Sequence, residues 1–169
     1  HLLSRRQRQM CIRDRSIGLQ STQDKLLKQI GRIHTYSEFL QTYKLAREIG
    51  FKNINIDLMI GLPNQSIEDI KETVENIINL NPEHISVYSL IVEQGTKIAE
   101  LIDSRDLKLP DEDLERMEYS YVKNKLELAG FKQYEISNFA KENYYSKHNV
   151  NCWTVSYTHL RAHETAANL

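Results

Sequence analysis

The chain has 169 residues, 40% of them hydrophobic, and a formal net charge of −1. That length supports one domain with a buried core, and the near-neutral charge offers no electrostatic case for nucleic acid or an acidic membrane surface. No apolar run approaches the ~20 residues of a membrane span, and no signal-peptide pattern opens the chain.

Cys11 and Cys152 are the only cysteines, too few and too far apart for a disulfide framework or a zinc knuckle. A reduced, cytoplasmic setting is expected. The two ends lack a periodicity that joins them to the middle. Residues 1–14 carry a basic cluster, and 154–169 are irregular. The segments RQRQMCIRDR and VSYTHLRAHET resemble translated sequencing-adapter read-through. Both tails are therefore set aside from functional argument.

Ser16-Ile17-Gly18-Leu19-Gln20 alternates and predicts a first strand whose polar face ends in Gln20. Ser21, with Asp24 three residues on, predicts the cap of a short helix to about Ile30, and Gly31-Arg32-Ile33-His34 a turn. Ser37 is expected to cap a second helix with Phe39, Leu40, Tyr43, Ala46 and Ile49 inward and Gly50 as its stop. From about Asn53 the chain alternates again. Ile54, Ile56, Leu58 and Ile60 share one face and Asn55, Asp57 and Met59 the other, before Gly61-Leu62-Pro63 ends the strand.

Ser66 with Asp69 predicts the start of a third helix, whose core stripe is Ile70, Val74, Ile77 and Ile78. His84 to Leu90 forms a third strand, with Ile85 and Val87 outward and Ser86 and Tyr88 inward. Strands separated by helices imply parallel, right-handed crossovers. The fold class is α/β, the later part of a partial (β/α) barrel over 15–96. Its apolar residues pack on helices and its polar residues face a central cavity; Asp57 points that way.

Beyond residue 96 the character changes. A short helix near Lys97 to Asp103 precedes Pro110 and the cap Asp111 of a long helix to Ala129, with Leu114, Met117, Tyr121 and Leu128 as expected core positions. Gln133 to Ser137 is a short strand, and Asn138 to Trp153 is expected to be an ordered loop at the cavity mouth. Residues 97–153 together make the start of an α+β accessory region.

Read singly, the polar residues leave alternatives open. Asp57 is either a buried structural acid or a ligand contact. Arg32 alone is a surface arginine near a helix end. His34 is expected to hydrogen-bond its own turn, His84 to be structural, and Cys152 to pack as a small side chain. Tyr144 and Tyr145 either line a ligand or cover the barrel mouth.

The ordered motifs IGLQS, GRIH, IDLMIGLP, HISVYSL, YEISNFA and HNVNCW together resemble the radical SAM family of oxygen-independent coproporphyrinogen III oxidase-like proteins. The resemblance covers essentially Arg15 to Trp153. Gln20-Ser21 and Gly31-Arg32-Ile33-His34 favour its haem-chaperone branch, which implies haem binding and delivery to an unidentified haem-accepting protein. The family implies S-adenosylmethionine and a [4Fe–4S] cluster as cofactors, with haem as a further ligand. By motif position Gln20, Arg32, Asp57 and Ile91 match S-adenosylmethionine contacts, and His148 a haem contact. The cluster's CxxxCxxC motif is absent from this chain, so no metal ligand and no catalytic residue is assigned to it. Two alternatives stand beside this reading. One is a coproporphyrinogen III dehydrogenase; the other is a cluster-free barrel binding a small phosphorylated metabolite, for which the six scattered glycines provide no phosphate loop.

Overall fold

The structure, a computed structural model, describes residues 14–104 and 106–146. Three strands, β1 (Asp14–Gln20), β2 (Asn53–Ile60) and β3 (His84–Ser89), pair in parallel as neighbours. Helices α1 (Asp24–Gln29) and α2 (Tyr36–Ile49) join β1 to β2, and α3 (Ile67–Leu80) joins β2 to β3. After α4 (Lys97–Asp103) and α5 (Glu112–Leu128), strands β4 (Lys132–Glu135) and β5 (Asn138–Ala140) form an antiparallel hairpin. Strand β5 pairs antiparallel with β3, so the sheet order is β1-β2-β3-β5-β4. The result is a mixed, unclosed sheet: parallel where the barrel is expected, antiparallel where the accessory region begins. Asp14, assigned above to the tail, is the first residue of β1 and pairs with Asn53.

Strand β2 carries the core. Its burial alternates without a break, with Ile54, Ile56, Leu58 and Ile60 each no more than 2% exposed. Each such side chain contributes about 1.5–3 kcal/mol by leaving water. Against this face pack Phe39, Tyr43 and Ala46 of α2 and Ile70, Val74 and Ile77 of α3. Residues Ser66 and Asp69 form the expected reciprocal capping box, Ser66 N–H to Asp69 at 2.9 Å and Asp69 N–H to Ser66 Oγ at 3.2 Å.

Two caps fall elsewhere than expected. Helix α2 is capped by Thr35, whose hydroxyl accepts the Glu38 N–H while the Glu38 carboxylate accepts the Thr35 N–H at 2.8 Å. Thr35–Glu38 has the Thr-x-x-Glu spacing that makes both bonds, which Ser37 lacks. At α1 the N-cap is Gln23, without a side-chain cap bond, while Ser21 Oγ donates to Gln23 Oε1 at 2.7 Å and accepts the Gln23 N–H at 3.3 Å. Ile49 is 67% exposed, and Phe51, past the Gly50 turn, packs against the core.

The long helix differs most from expectation. Met117 and Leu128 are 58% and 85% exposed, and the buried stripe of α5 is Glu118, Val122 and Leu126. An acid at the head of that stripe hid its i, i+4 period. The expected loop after Ser137 likewise begins as strand β5. Three residues are too few to show alternation, yet Phe139 is fully buried and paired with Ile85. Replacing Phe139 by Ala is expected to cost about 3–5 kcal/mol, measured as a loss in cooperative unfolding free energy in urea.

Glu118 explains how α5 is attached. Its Oε2 accepts the Gly61 N–H at 2.9 Å, immediately past β2, where Gly61 has φ 71°. Its Oε1 is buried without a hydrogen-bond partner among the described residues. Burial, and then the neighbouring Glu115 and Asp69 charges, push the Glu118 carboxyl above its ordinary value, against the opposing Gly61 bond. An acid whose pKa is raised on folding binds its proton more tightly in the native state, so stability falls as pH climbs from the ordinary carboxyl value through the raised one. Glu118→Gln keeps an acceptor for Gly61 and has no charge to bury. Its stability should decline less across that window than the parent's in urea titrations at stepped pH. Parallel curves for the two proteins would refute this.

Candidate functional site

Register builds the open face of the sheet. Ser16 pairs with Asn55 and Asn55 with His84; Gly18 pairs with Asp57, Asp57 with Ser86, and Ser86 with Asn138. Residues paired across adjacent strands project to one side. Because the isoleucines of β2 face the helices, these polar side chains gather on the opposite face.

There they bond to one another. Asp57 Oδ2 accepts from Ser16 Oγ at 2.6 Å, and Asp57 Oδ1 from Asn55 Nδ2 at 2.7 Å. Asn55 Oδ1 lies 2.7 Å from His84 Nδ1 and accepts from Ser86 Oγ at 3.2 Å. His84 Nε2 lies 2.6 Å from the Tyr134 hydroxyl, and the two rings meet edge to face. Ser86 Oγ also reaches Asn138 Oδ1 at 2.8 Å, and Asn138 Nδ2 donates to Glu135. Asp57 is half-buried and His84 and Ser86 are buried, so much of this network is shielded from water.

The carboxyl end of the parallel strands carries the other candidates. A bulge at Leu19 places Gln20 opposite Leu58, at φ 71° and 6% exposed. The bulge ends the strict alternation expected of β1, leaving both Leu19 and Gln20 buried. A Cβ on Gly18 would come within 2.8 Å of Gln20 Nε2, so the Gln20 amide lies where a larger residue at 18 would stand. The turn that follows is stapled to α3. Thr22 Oγ1 and Thr73 Oγ1 are 2.9 Å apart, and Thr73 Oγ1 donates to Gln23 Oε1 at 3.0 Å.

His34 Nε2 lies 3.4 Å from the Leu19 carbonyl, which holds the turn bearing Arg32 at the same end of the sheet. Arg32 is exposed there. Ile91 follows β3, where Leu90 N–H bonds to the Ile60 carbonyl at 3.0 Å, and its side chain is 82% exposed. Gln20 and Asp57 are thus brought close through Gly18, while Arg32 and Ile91 stand on flanking loops. His148 and Cys152 lie outside the described residues. Tyr145 packs on Tyr134 with ring centroids 5.0 Å apart.

These side chains fit the polar groups of S-adenosylmethionine. An amide and a carboxylate suit ribose hydroxyls or an ammonium, and a guanidinium can fork onto a carboxylate. They do not fit an iron–sulfur cluster, which takes cysteine thiolates; neither Cys11 nor Cys152 is among the described residues. Among those residues no group of three His, Cys, Asp or Glu could hold a metal ion. No helix among them is long and apolar enough to cross a membrane. Sequence reasoning missed the linkage from Asn55 through His84 to Tyr134. The alternation of β2 and β3 put Asn55 and His84 on definable faces, but only strand register brings them together.

A family model of the radical SAM superfamily matches residues 14–77, from β1 through most of α3. The haem chaperone HemW of Bacillus subtilis is 44% identical over 139 residues, covering 82% of this chain and 37% of that protein. The haem chaperone HemW of Haemophilus influenzae is 41% identical over 138 residues, covering 82% of this chain and 35% of that protein. The solved coproporphyrinogen III oxidase HemN of Escherichia coli, a radical SAM enzyme, superposes with a TM-score of 0.66 at 25% identity. It covers 83% of this chain and 32% of that one. The chain thus spans about a third of the length of the curated relatives it matches. Parallel strands with their polar face turned away from the helices, the motifs they carry and these likenesses agree, and the chain belongs to the radical SAM superfamily as a HemN-like member.

Proposed function

We propose that this chain supplies the later barrel strands of a haem chaperone, with Gln20, Arg32, Asp57 and Ile91 contributing to an S-adenosylmethionine site. The observation that supports this most is Asp57 itself. Its carboxylate is held on the open face by Ser16 and Asn55, beside Gly18 and the buried Gln20 amide. Asp57 and Gln20 would meet ribose hydroxyls or the ammonium group, Arg32 the methionine carboxylate, and Ile91 an apolar edge.

S-adenosylmethionine bound beside a [4Fe–4S] cluster supplies radical chemistry in this superfamily. The thiolates for such a cluster would come from a part of the full-length protein other than these strands. His148, in the His-Asn-x-x-Cys-Trp segment, is the proposed haem contact, since imidazole is a common axial ligand. Haem would then pass to an acceptor protein in the cytoplasm.

The tests need a full-length protein carrying this sequence. Asp57→Asn removes a charged acceptor, and should weaken S-adenosylmethionine binding by about ten- to a hundredfold in calorimetric titration. Hemin titration of the same variant should retain its saturable Soret shift. An unchanged affinity for S-adenosylmethionine would remove Asp57 from the site, and a parent without a saturable Soret shift would refute the chaperone reading. The fold likeness to HemN favours a second reading, coproporphyrinogen III dehydrogenation. Anaerobic turnover of coproporphyrinogen III by the full-length protein would establish it instead.

A further inference from the structure

The carboxylate of Asp57 does not set its own orientation. Both oxygens are taken, one by Ser16 Oγ at 2.6 Å and one by Asn55 Nδ2 at 2.7 Å. The same Asn55 Nδ2 lies 2.9 Å from Ser16 Oγ, so one amide group steadies both the acid and its second donor.

An amide is planar, and its two ends turn together. Because the Asn55 NH₂ faces two oxygens, its carbonyl faces His84 Nδ1 at 2.7 Å and Ser86 Oγ at 3.2 Å. An oxygen there requires a proton on Nδ1. In the neutral ring Nε2 is then the acceptor, and the Tyr134 hydroxyl, 2.6 Å away, is its donor. The Tyr134 oxygen in turn accepts the Ser146 N–H at 3.3 Å. Every donor points the same way, from Ser146 through Tyr134, His84 and Asn55 to Asp57. The links step from β4 to β3 to β2, so the C-terminal hairpin reaches Asp57 without touching it.

We infer that Tyr134, His84 and Asn55 are positioning residues that fix the orientation of Asp57 from the β4–β5 hairpin. Removing the Tyr134 hydroxyl takes away a donor that favours Nε2 as the acceptor, which shifts the ring toward the tautomer with its proton on Nε2. A bare Nδ1 would then oppose the Asn55 carbonyl, and relief by turning the amide would set that carbonyl against Asp57. Against that turn stand the Asn55 Nδ2 bonds to Asp57 and Ser16 and the Ser86 hydroxyl, whose single proton is shared with Asn138 Oδ1 at 2.8 Å. This inference rests on the proposed contact between Asp57 and S-adenosylmethionine, and it adds a control over that contact from the accessory region.

The test measures S-adenosylmethionine affinity by calorimetry, with thermal melting in parallel, on a full-length protein carrying this sequence. Tyr134→Phe should weaken binding about three- to tenfold, the scale of one neutral hydrogen bond. In an Asp57→Asn background the same change should have almost no further effect, because the group being positioned has lost its charge. His84→Asn, which places an amide N–H near the Nδ1 position, should retain more affinity than His84→Leu. A purely structural role would lower melting temperature in every background and show no such coupling.

If Asp57→Asn weakens binding while Tyr134→Phe and His84→Leu leave it unchanged, the relay is overturned and the Asp57 contact stands. If Asp57→Asn itself has no effect, the contact fails and the relay with it. Tyr134→Phe keeps the ring and its packing, so it carries the test even if His84→Leu does not fold.

Discussion

The structure depends on the unbroken two-residue alternation of β2. Four branched or long aliphatic side chains go to one side and find α2 and α3 there; Asn55, Asp57 and Met59 have only the other side left. A shift of one residue in its pairing would exchange the two faces, placing a carboxylate among isoleucines. Apolar burial on one side of the strand therefore holds the polar groups of the candidate site in register on the other.

The two ends of the parallel strands are built differently. At the amino end a closed network serves stability. Glu83 pairs with Arg47 at 2.9 Å and accepts the Ile54 N–H at 3.1 Å, while the Tyr43 hydroxyl donates to the Leu80 carbonyl at 2.9 Å. Burial raises the Tyr43 hydroxyl's pKa, consistent with a donor shielded inside that floor. At the carboxyl end the chain instead offers a bulge, a left-handed Gln20 and exposed loop residues. This division, with a bonded floor below and open polar loops above, resembles the layout of barrel enzymes. It places Gln20, Arg32 and Ile91 at one end before any ligand is considered.

The accessory region is joined to the barrel strands through polar contacts as well as apolar ones. Val122 and Leu126 of α5 enter the common core, but Glu118 on the same stripe is a buried acid that holds the turn after β2. On the other face Tyr134 and Asn138 reach His84 and Ser86. Such groups are costly to leave unpaired in a low dielectric, so they specify one docking geometry where apolar packing alone would tolerate several.

The sequence by itself determined the parallel strand–helix order, the limits and facing of β2 and the Ser66–Asp69 cap. These are local properties: alternation, capping spacing and glycine stops each depend on a few neighbouring residues. The family likeness was legible for the same reason, since its motifs are short and ordered along the chain. Tertiary structure alone decided that α5 turns Glu118 inward, that Asn138–Ala140 is a strand, and that Asn55 connects Asp57 to His84 and Tyr134. Each of these depends on a partner far away in the chain, the last on strand register between residues 29 and 50 positions apart. No pattern within a single segment encodes such a pairing.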